Sequence, residues 1–191
     1  MDLAQQLAAA VVDLAADRDR VPVGIDGPDG AGKTTLADRL ADALPEPVLR
    51  VSADRHLRPR DERYRHGELS PEGYYRDSVD VAAFTRACRS PAGTTVVADG
   101  LFLLRPELRG LWALTVYLRV SEEESLRRAP VRDVALFGSV EEVERRYRAR
   151  YLPGQALYRR EADPERAADV LIDNEDVVAP LILRWAGGRG D

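Results

Sequence analysis

"GIDGPDGAGKTTLADRL", residues 24–40, carries Gly27, four further residues, and then Gly32-Lys33-Thr34. That is the G-x-x-x-x-G-K-[ST] spacing of a phosphate-binding loop. The apolar "VPVGID" (21–26) before it reads as a strand. "KTTLADRLADAL" (33–44) after it reads as a helix with Leu36, Leu40 and Leu44 on one face, stopped by Pro45 and Pro47. Strand, loop and helix in that order are the context such a motif requires. Glycines let the backbone curl so that its N–H groups face phosphate oxygens, and the helix that follows points its positive end inward. On this reading Gly27, Asp29, Gly30, Ala31, Gly32, Lys33, Thr34 and Thr35 hold a nucleotide. Lys33 bridges its β- and γ-phosphates, and the Thr34 hydroxyl goes to Mg²⁺.

Composition supports the motif. The chain has 28 basic residues, and Lys33 is the single lysine among them. A slim ammonium fits between two phosphates where a forked, planar guanidinium does not. The 191 residues suit one domain spanning 1–191, and a net charge of −5 argues against general affinity for nucleic acid or anionic membrane. The first residues, "MDLAQQLAAAVVDLAADRDR", lack the basic start of a signal peptide, and no apolar run approaches the roughly 20 residues of a membrane span. Cys88 stands alone on an apolar helical face with Val81 and reads as a buried structural thiol. A cytoplasmic protein is expected, and self-association into a homo-oligomer is left open.

Helices and strands alternate outward from the loop. Residues 2–16 repeat Leu3, Leu7, Val11 and Leu14 at helical spacing. Strands are expected at 47–54, 94–100, 113–120 and 167–174. Helices are expected after the Ser70 cap, from Asp80, after the Ser121 cap and over 139–151. Five strands linked through helices predict a parallel sheet with helices on both faces, whose ligands bind at the carboxyl ends of the strands. Asp54 and Asp99 close two of those strands. Asp54 could take the proton of an attacking hydroxyl or hold magnesium, and Asp99 could hold Mg²⁺ through water. Arg127, Arg128 and Arg132 follow the fourth strand and could fold over a polyphosphate as a lid near 127–150, neutralising transition-state charge. Each of these also has a structural reading: a turn Asp, an N-cap, or a solvated helix face. His56 and His66 lie in a polar loop without metal-ligand spacing and are expected to be exposed.

"GIDGPDGAGKTTLA", "VSAD", "GELSPEGYYRDSVD", "VVADGLFLLRPEL", "LRRAPVRD", "RYRARYLPGQALY" and "ADVLIDN" occur in an order that resembles uridine kinase-like proteins. These stand beside phosphoribulokinase and pantothenate kinase among the P-loop kinases, and the likeness runs over about residues 20–176. It implies a P-loop NTPase three-layer sandwich and ATP- and Mg²⁺-dependent phosphorylation of a hydroxyl on a small molecule. Asp54 matches the catalytic aspartate, Asp99 the magnesium-side acid and Arg132 the lid arginine, with Arg128 beside it. Three departures concern the acceptor. "FTRACRSPAGTTVVADG" has no room for the base-contacting hairpin, Tyr74 stands where a ribose-holding acid is expected, and Arg55, His56 and Leu57 replace an aromatic after Asp54. Asp54, His56, Arg58, Tyr74, Tyr75, Asp77 and Arg128 remain as acceptor-side candidates. They suit a hydroxylated or anionic compound and offer no evident base-reading set. A GTPase would want N-K-x-D, which a chain whose one lysine is Lys33 cannot supply. A nucleotide-binding module without an acceptor stays open.

Overall fold

The computed structural model describes residues 2–186; Met1 and residues 187–191 of the expected 1–191 domain lie outside the described residues. Among the described residues the central sheet has six strands: β1 (Arg20–Asp26), β2 (Val48–Ser52), β3 (Thr94–Asp99), β4 (Leu114–Arg119), β5 (Val170–Asp173) and β6 (Leu181–Trp185). Their spatial order is β2-β3-β1-β4-β5-β6. The first five are mutually parallel, as expected, and β6 adds an antiparallel edge to β5. The five-stranded expectation is therefore one strand short. "LILRW" is apolar at four of its five positions but follows β5 with no helix between them, so the alternation of strands with helices does not announce it.

The helices are α1 (Leu3–Ala15), α2 (Lys33–Ala43), α3 (Arg60–Arg63), α4 (Pro71–Asp77), α5 (Val81–Ala87), α6 (Glu122–Phe137), α7 (Val140–Arg146), α8 (Leu152–Ala162) and α9 (Pro164–Ala167). Asp2 and Gln5 form a reciprocal cap on α1, which lays Ala4, Leu7, Ala8 and Val11 on the sheet. With Leu36, Ala37 and Leu40 of α2 they pack against Val23, Ile25, Val97 and Val116 as one core layer. The opposite face carries Val51, Phe84, Val96 and Leu108, where Cys88 is buried and its thiol is pushed up to about 12 by loss of hydration. An aromatic cluster of Tyr74, Tyr75, Phe102, Tyr117 and Tyr158 joins α4 and α8 to that side.

This topology sets the strand ends that matter on one edge. β1 runs between β3 and β4, so the loop after Asp26 opens into the crevice where connections leave on both sides. Asp26 itself is fully buried and fastens that edge. Its carboxylate accepts hydrogen bonds from the Gly27 N–H at 2.7 Å, the Phe102 N–H at 3.2 Å, the Leu104 N–H at 3.0 Å and the Tyr158 hydroxyl. Burial raises its pKa against these bonds, so the four donors are what make an interior carboxylate tolerable.

Candidate functional site

The phosphate-binding loop has the conformation its glycines allow. Gly27, Gly30 and Gly32 all have positive φ. A Cβ on Gly27 would lie 2.5 Å from the Leu118 carbonyl oxygen, and Gly32 is the left-handed N-cap of α2, where a Cβ would lie 3.0 Å from Asn174 Nδ2. Asn174, at the end of β5, donates from Nδ2 to the Ala31 carbonyl at 2.8 Å. Arg128 donates to the Gly30 carbonyl at 2.9 Å, to those of Asn174 and Glu175 at 3.0 and 2.9 Å, and to Glu124. The loop is thus clasped from outside by β5 and α6.

Two cavities meet at this loop. One, of about 290 Å³, is lined by Gly30, Gly32, Lys33, Thr34, Thr35, Asp99 and Arg128. The other, of about 400 Å³, is lined by Leu57, Arg63, Tyr64, Tyr74, Phe102, Phe137, Arg150 and Tyr151. Asp29, Thr34, Asp54, Leu101 and Arg132 belong to both walls. A third groove, of about 360 Å³, leads from Gly32 and Thr35 past Leu36, Leu118, Val177 and Pro180.

In the first cavity the Lys33 ammonium donates to the Pro28 carbonyl at 2.7 Å. Burial lowers its pKa, opposed by Asp29, Asp26 and Asp54. Thr34 donates its hydroxyl to Asp99 Oδ2 at 2.7 Å, and Asp99 Oδ1 accepts from Arg50 Nη2 at 3.1 Å. Asp99 is 2% exposed. Arg50 is a residue the sequence reading missed; an arginine in the middle of an apolar strand was the available signal. Asp54 sits on a short 3₁₀ turn, Ala53–His56, directly after β2. Loss of hydration around its carboxyl raises its pKa, opposed by Lys33. Gly100 lets this turn approach β3: a Cβ there would lie 2.4 Å from that of Ala53.

A polyphosphate with Mg²⁺ fits these groups. A curled backbone, a half-buried ammonium and a helix N-terminus suit the phosphates. Among the described residues no group of three or more His, Cys, Asp and Glu side chains could hold a metal by itself. One hydroxyl and one or two carboxylates are the partial oxygen set that Mg²⁺ takes when phosphates and water complete its shell.

The acceptor-side candidates divide. Tyr74 lines the larger cavity but is buried, and its hydroxyl donates to Asp29 Oδ2 at 2.7 Å. Asp29 belongs to the loop by its backbone, yet its carboxylate also accepts from Gln155 Nε2 at 2.9 Å and Arg132 Nη2 at 3.2 Å. Its side chain is therefore directed to a polar network on the shared wall. Arg132 further contacts Asp133 and the Tyr147 hydroxyl, and Tyr147 donates to Asp133 at 2.8 Å.

The other candidates line neither cavity or only the first. Tyr75 is 2% exposed and packs edge-on against Phe102 and tilted against Tyr158, because the helical turn that opens Tyr74 to the cleft turns its neighbour into the aromatic core. Asp77 is buried and paired with Arg65 at 2.6 Å. Arg58 is tied to the Val79 carbonyl and Glu62, each at 3.4 Å. His56, expected to be exposed, is half-buried with its ring edge against Phe84. His66 is exposed. Arg128 borders the first cavity alone.

No protein-family model matches the sequence, and no curated protein sequence matches it. Solved structures do. A possible uridine kinase from Bacillus stearothermophilus is 22% identical, with a TM-score of 0.61 over 87% of this chain and 98% of that one. A candidate fructose transport system kinase from Silicibacter sp. TM1040 is 21% identical, with a TM-score of 0.65 over 88% of this chain and 96% of that one. At these identities the likeness is one of architecture: the chain is folded as the uridine kinase-like P-loop kinases are.

Proposed function

We propose that the chain works as one kinase domain that transfers the γ-phosphoryl group of ATP to a hydroxyl of a small molecule. The observation that carries this reading is the pair of cavities meeting at Asp29, Thr34, Asp54 and Arg132. One has the lining of a polyphosphate site. The other, at about 400 Å³, is the size of a small-molecule pocket.

Bound Mg-ATP would supply the phosphoryl group and the charge neutralisation of the metal. This chain's residues do the rest. The loop from Gly27 to Thr35 and Lys33 hold the β- and γ-phosphates. Thr34 and Asp99 form the magnesium side, with Arg50 orienting Asp99 through its bond to Oδ1. Asp54 accepts the proton of the acceptor hydroxyl as its oxygen bonds to phosphorus and the bond to the ADP oxygen breaks; its raised pKa makes it a stronger base than an ordinary aspartate. Arg132, half-exposed and on α6, is free to exchange Asp29 for phosphate oxygens.

The names of the two similar structures suggest nucleosides and sugars as first acceptors to try. Without a base-contacting hairpin, uridine is expected to be a weak one. The deciding experiment is coupled ADP release with Mg-ATP over nucleosides, sugars and vitamin-like alcohols. Acceptor-dependent release that Asp54→Asn abolishes supports the reading. Nucleotide binding with no acceptor-dependent release across the whole set sinks it.

A further inference from the structure

Arg150 is the most deeply buried arginine among the described residues, at 2% exposure, and it lines the larger cavity. It has no carboxylate partner among the described residues. Nη1 donates to the carbonyls of Glu68 at 2.9 Å, Ser70 at 3.3 Å and Gly67 at 3.5 Å, and Nη2 to that of Arg63 at 3.4 Å. Its Nε has no hydrogen-bond partner. The guanidinium otherwise faces aromatic rings, 4.6 Å from the Tyr64 centroid and 5.5 Å from that of Tyr74. Two other enclosed arginines are instead held by carboxylates. Arg105, 6% exposed, is paired with Glu107, and Arg146 bridges Glu68 and Glu142.

A buried guanidinium without a counter-ion is costly, and carbonyl dipoles and ring faces return only part of its hydration. Burial accordingly lowers the Arg150 pKa from the usual arginine value. A water could fill the vacant Nε position but could not supply the charge. Arg63 repeats the pattern beside it: it lines the same cavity, and its buried Nε also lacks a partner. The backbone is specialised here too. Residues Tyr147–Tyr151, between α7 and α8, form a π-helical turn that carries both Tyr147 and Arg150 inward. Such turns are rare and occur frequently at functional sites.

We propose that the acceptor carries an anionic group, a carboxylate or a phosphate, which Arg150 and Arg63 receive in the larger cavity while a hydroxyl of the same molecule is presented to Asp54. The cavity then has a cationic subsite within its aromatic lining and an acidic one at the wall shared with the phosphate loop. A planar, forked guanidinium suits bidentate recognition of either anion. Only the hydroxyl half of this assignment rests on the kinase reading above.

The test uses the full chain with the phosphate loop filled by Mg-AMP-PNP, so that added anions cannot bind there. Calorimetry compares glycerol with glycerate and glycerol 3-phosphate, and ribose with ribonate and ribose 5-phosphate. At least one anion should bind ~10-fold or more tightly than its neutral parent, the scale of a charge-assisted bond. Whether it is a carboxylate or a phosphate identifies the group. Arg150→Gln should erase that advantage with AMP-PNP affinity unchanged, and Arg150→Lys should keep part of it. If Arg150→Gln does not fold, the wild-type comparison and Arg63→Gln, expected to weaken the anion severalfold, decide instead. Equal binding of neutral and anionic members in both series overturns the proposal, as does an anion preference that survives Arg150→Gln. ADP release measured alongside separates the two ideas. Anion preference without any acceptor-dependent release keeps the anion site and removes the kinase reading, whereas release with neutral acceptors as efficient as with anions does the reverse.

Discussion

Lys33 has no understudy, because every other basic side chain in the protein is arginine. Its ammonium is held by a single carbonyl, that of Pro28, so removing it leaves few groups unpaired. Lys33→Ala should therefore fold normally and lose about 100-fold or more in turnover, the scale of one lost transition-state contact. Steady-state ADP release at saturating ATP reads this, and full activity would mean that the loop takes no part in transfer. Asp54 separates basicity from shape. Asp54→Asn keeps the size of the side chain and loses the proton acceptor, so nucleotide binding should persist while transfer falls by about 100-fold or more. Weakened nucleotide binding with transfer intact at saturation would assign Asp54 to the metal instead.

The helices around the cleft are held by contacts that make separate demands. α8 approaches α4 at Gly154, where a Cβ would meet Tyr74 Cδ1 at 2.7 Å and the Pro71 carbonyl oxygen at 2.8 Å. Gly154→Ala should lower stability by roughly 1–3 kcal/mol, as overpacking does. Denaturant unfolding would show it as a lower midpoint, and an unchanged midpoint would mean that the two helices separate at little cost. On α6, Glu124 accepts from Arg127 at 2.6 and 2.5 Å and from Arg128, and these bonds, Arg127 first, hold its carboxyl at about 2 rather than the ordinary 4.5. The folded state thus binds this proton less readily than the unfolded chain. The stabilisation is complete above 4.5 and is lost as the pH falls from there towards about 2. The difference in melting temperature between wild type and Glu124→Gln should be constant near neutrality and close over that acid range. A gap that ignores pH would show that the carboxylate is not what clasps Arg128.

For the whole molecule, the open question of motion falls on α6, α7 and the π-helical turn. They pack on one another through Ala129, Val143 and Tyr147, a small cluster apart from the main core. Their link to the loop is polar, through Arg128 to Gly30 and Arg132 to Asp29. Tyr151 ties the turn to Tyr74, with 4.7 Å between ring centroids, so α6 and α7 are the part that can shift without opening the core, and Leu136, 74% exposed at the cleft, has apolar surface to bury on closure. Mg-AMP-PNP should slow amide hydrogen exchange across residues 122–151 more than in β1 or β4. Uniform protection, or none in that segment, would argue against a lid.

The loop, its flanking strand and helix, and the edge on which Asp54 and Asp99 fall are all legible in the residues alone. Each of these follows from local spacing. A G-x-x-x-x-G-K-T run permits few backbone paths, and apolar strands alternating with helices leave parallel strands ending on the same side. β6 escaped because it follows β5 through a loop alone, outside the alternation of strands with helices. Which side chains turn into the cleft was decided only by tertiary structure. Tyr74 and Tyr75 are adjacent in sequence yet face different surroundings, and Asp29 meets Gln155 across 126 residues. Arg150 reads in sequence as one of many surface arginines. Its burial without a counter-charge exists only because a π-helical turn and the carbonyls of residues 63–70 enclose it from two distant parts of the chain.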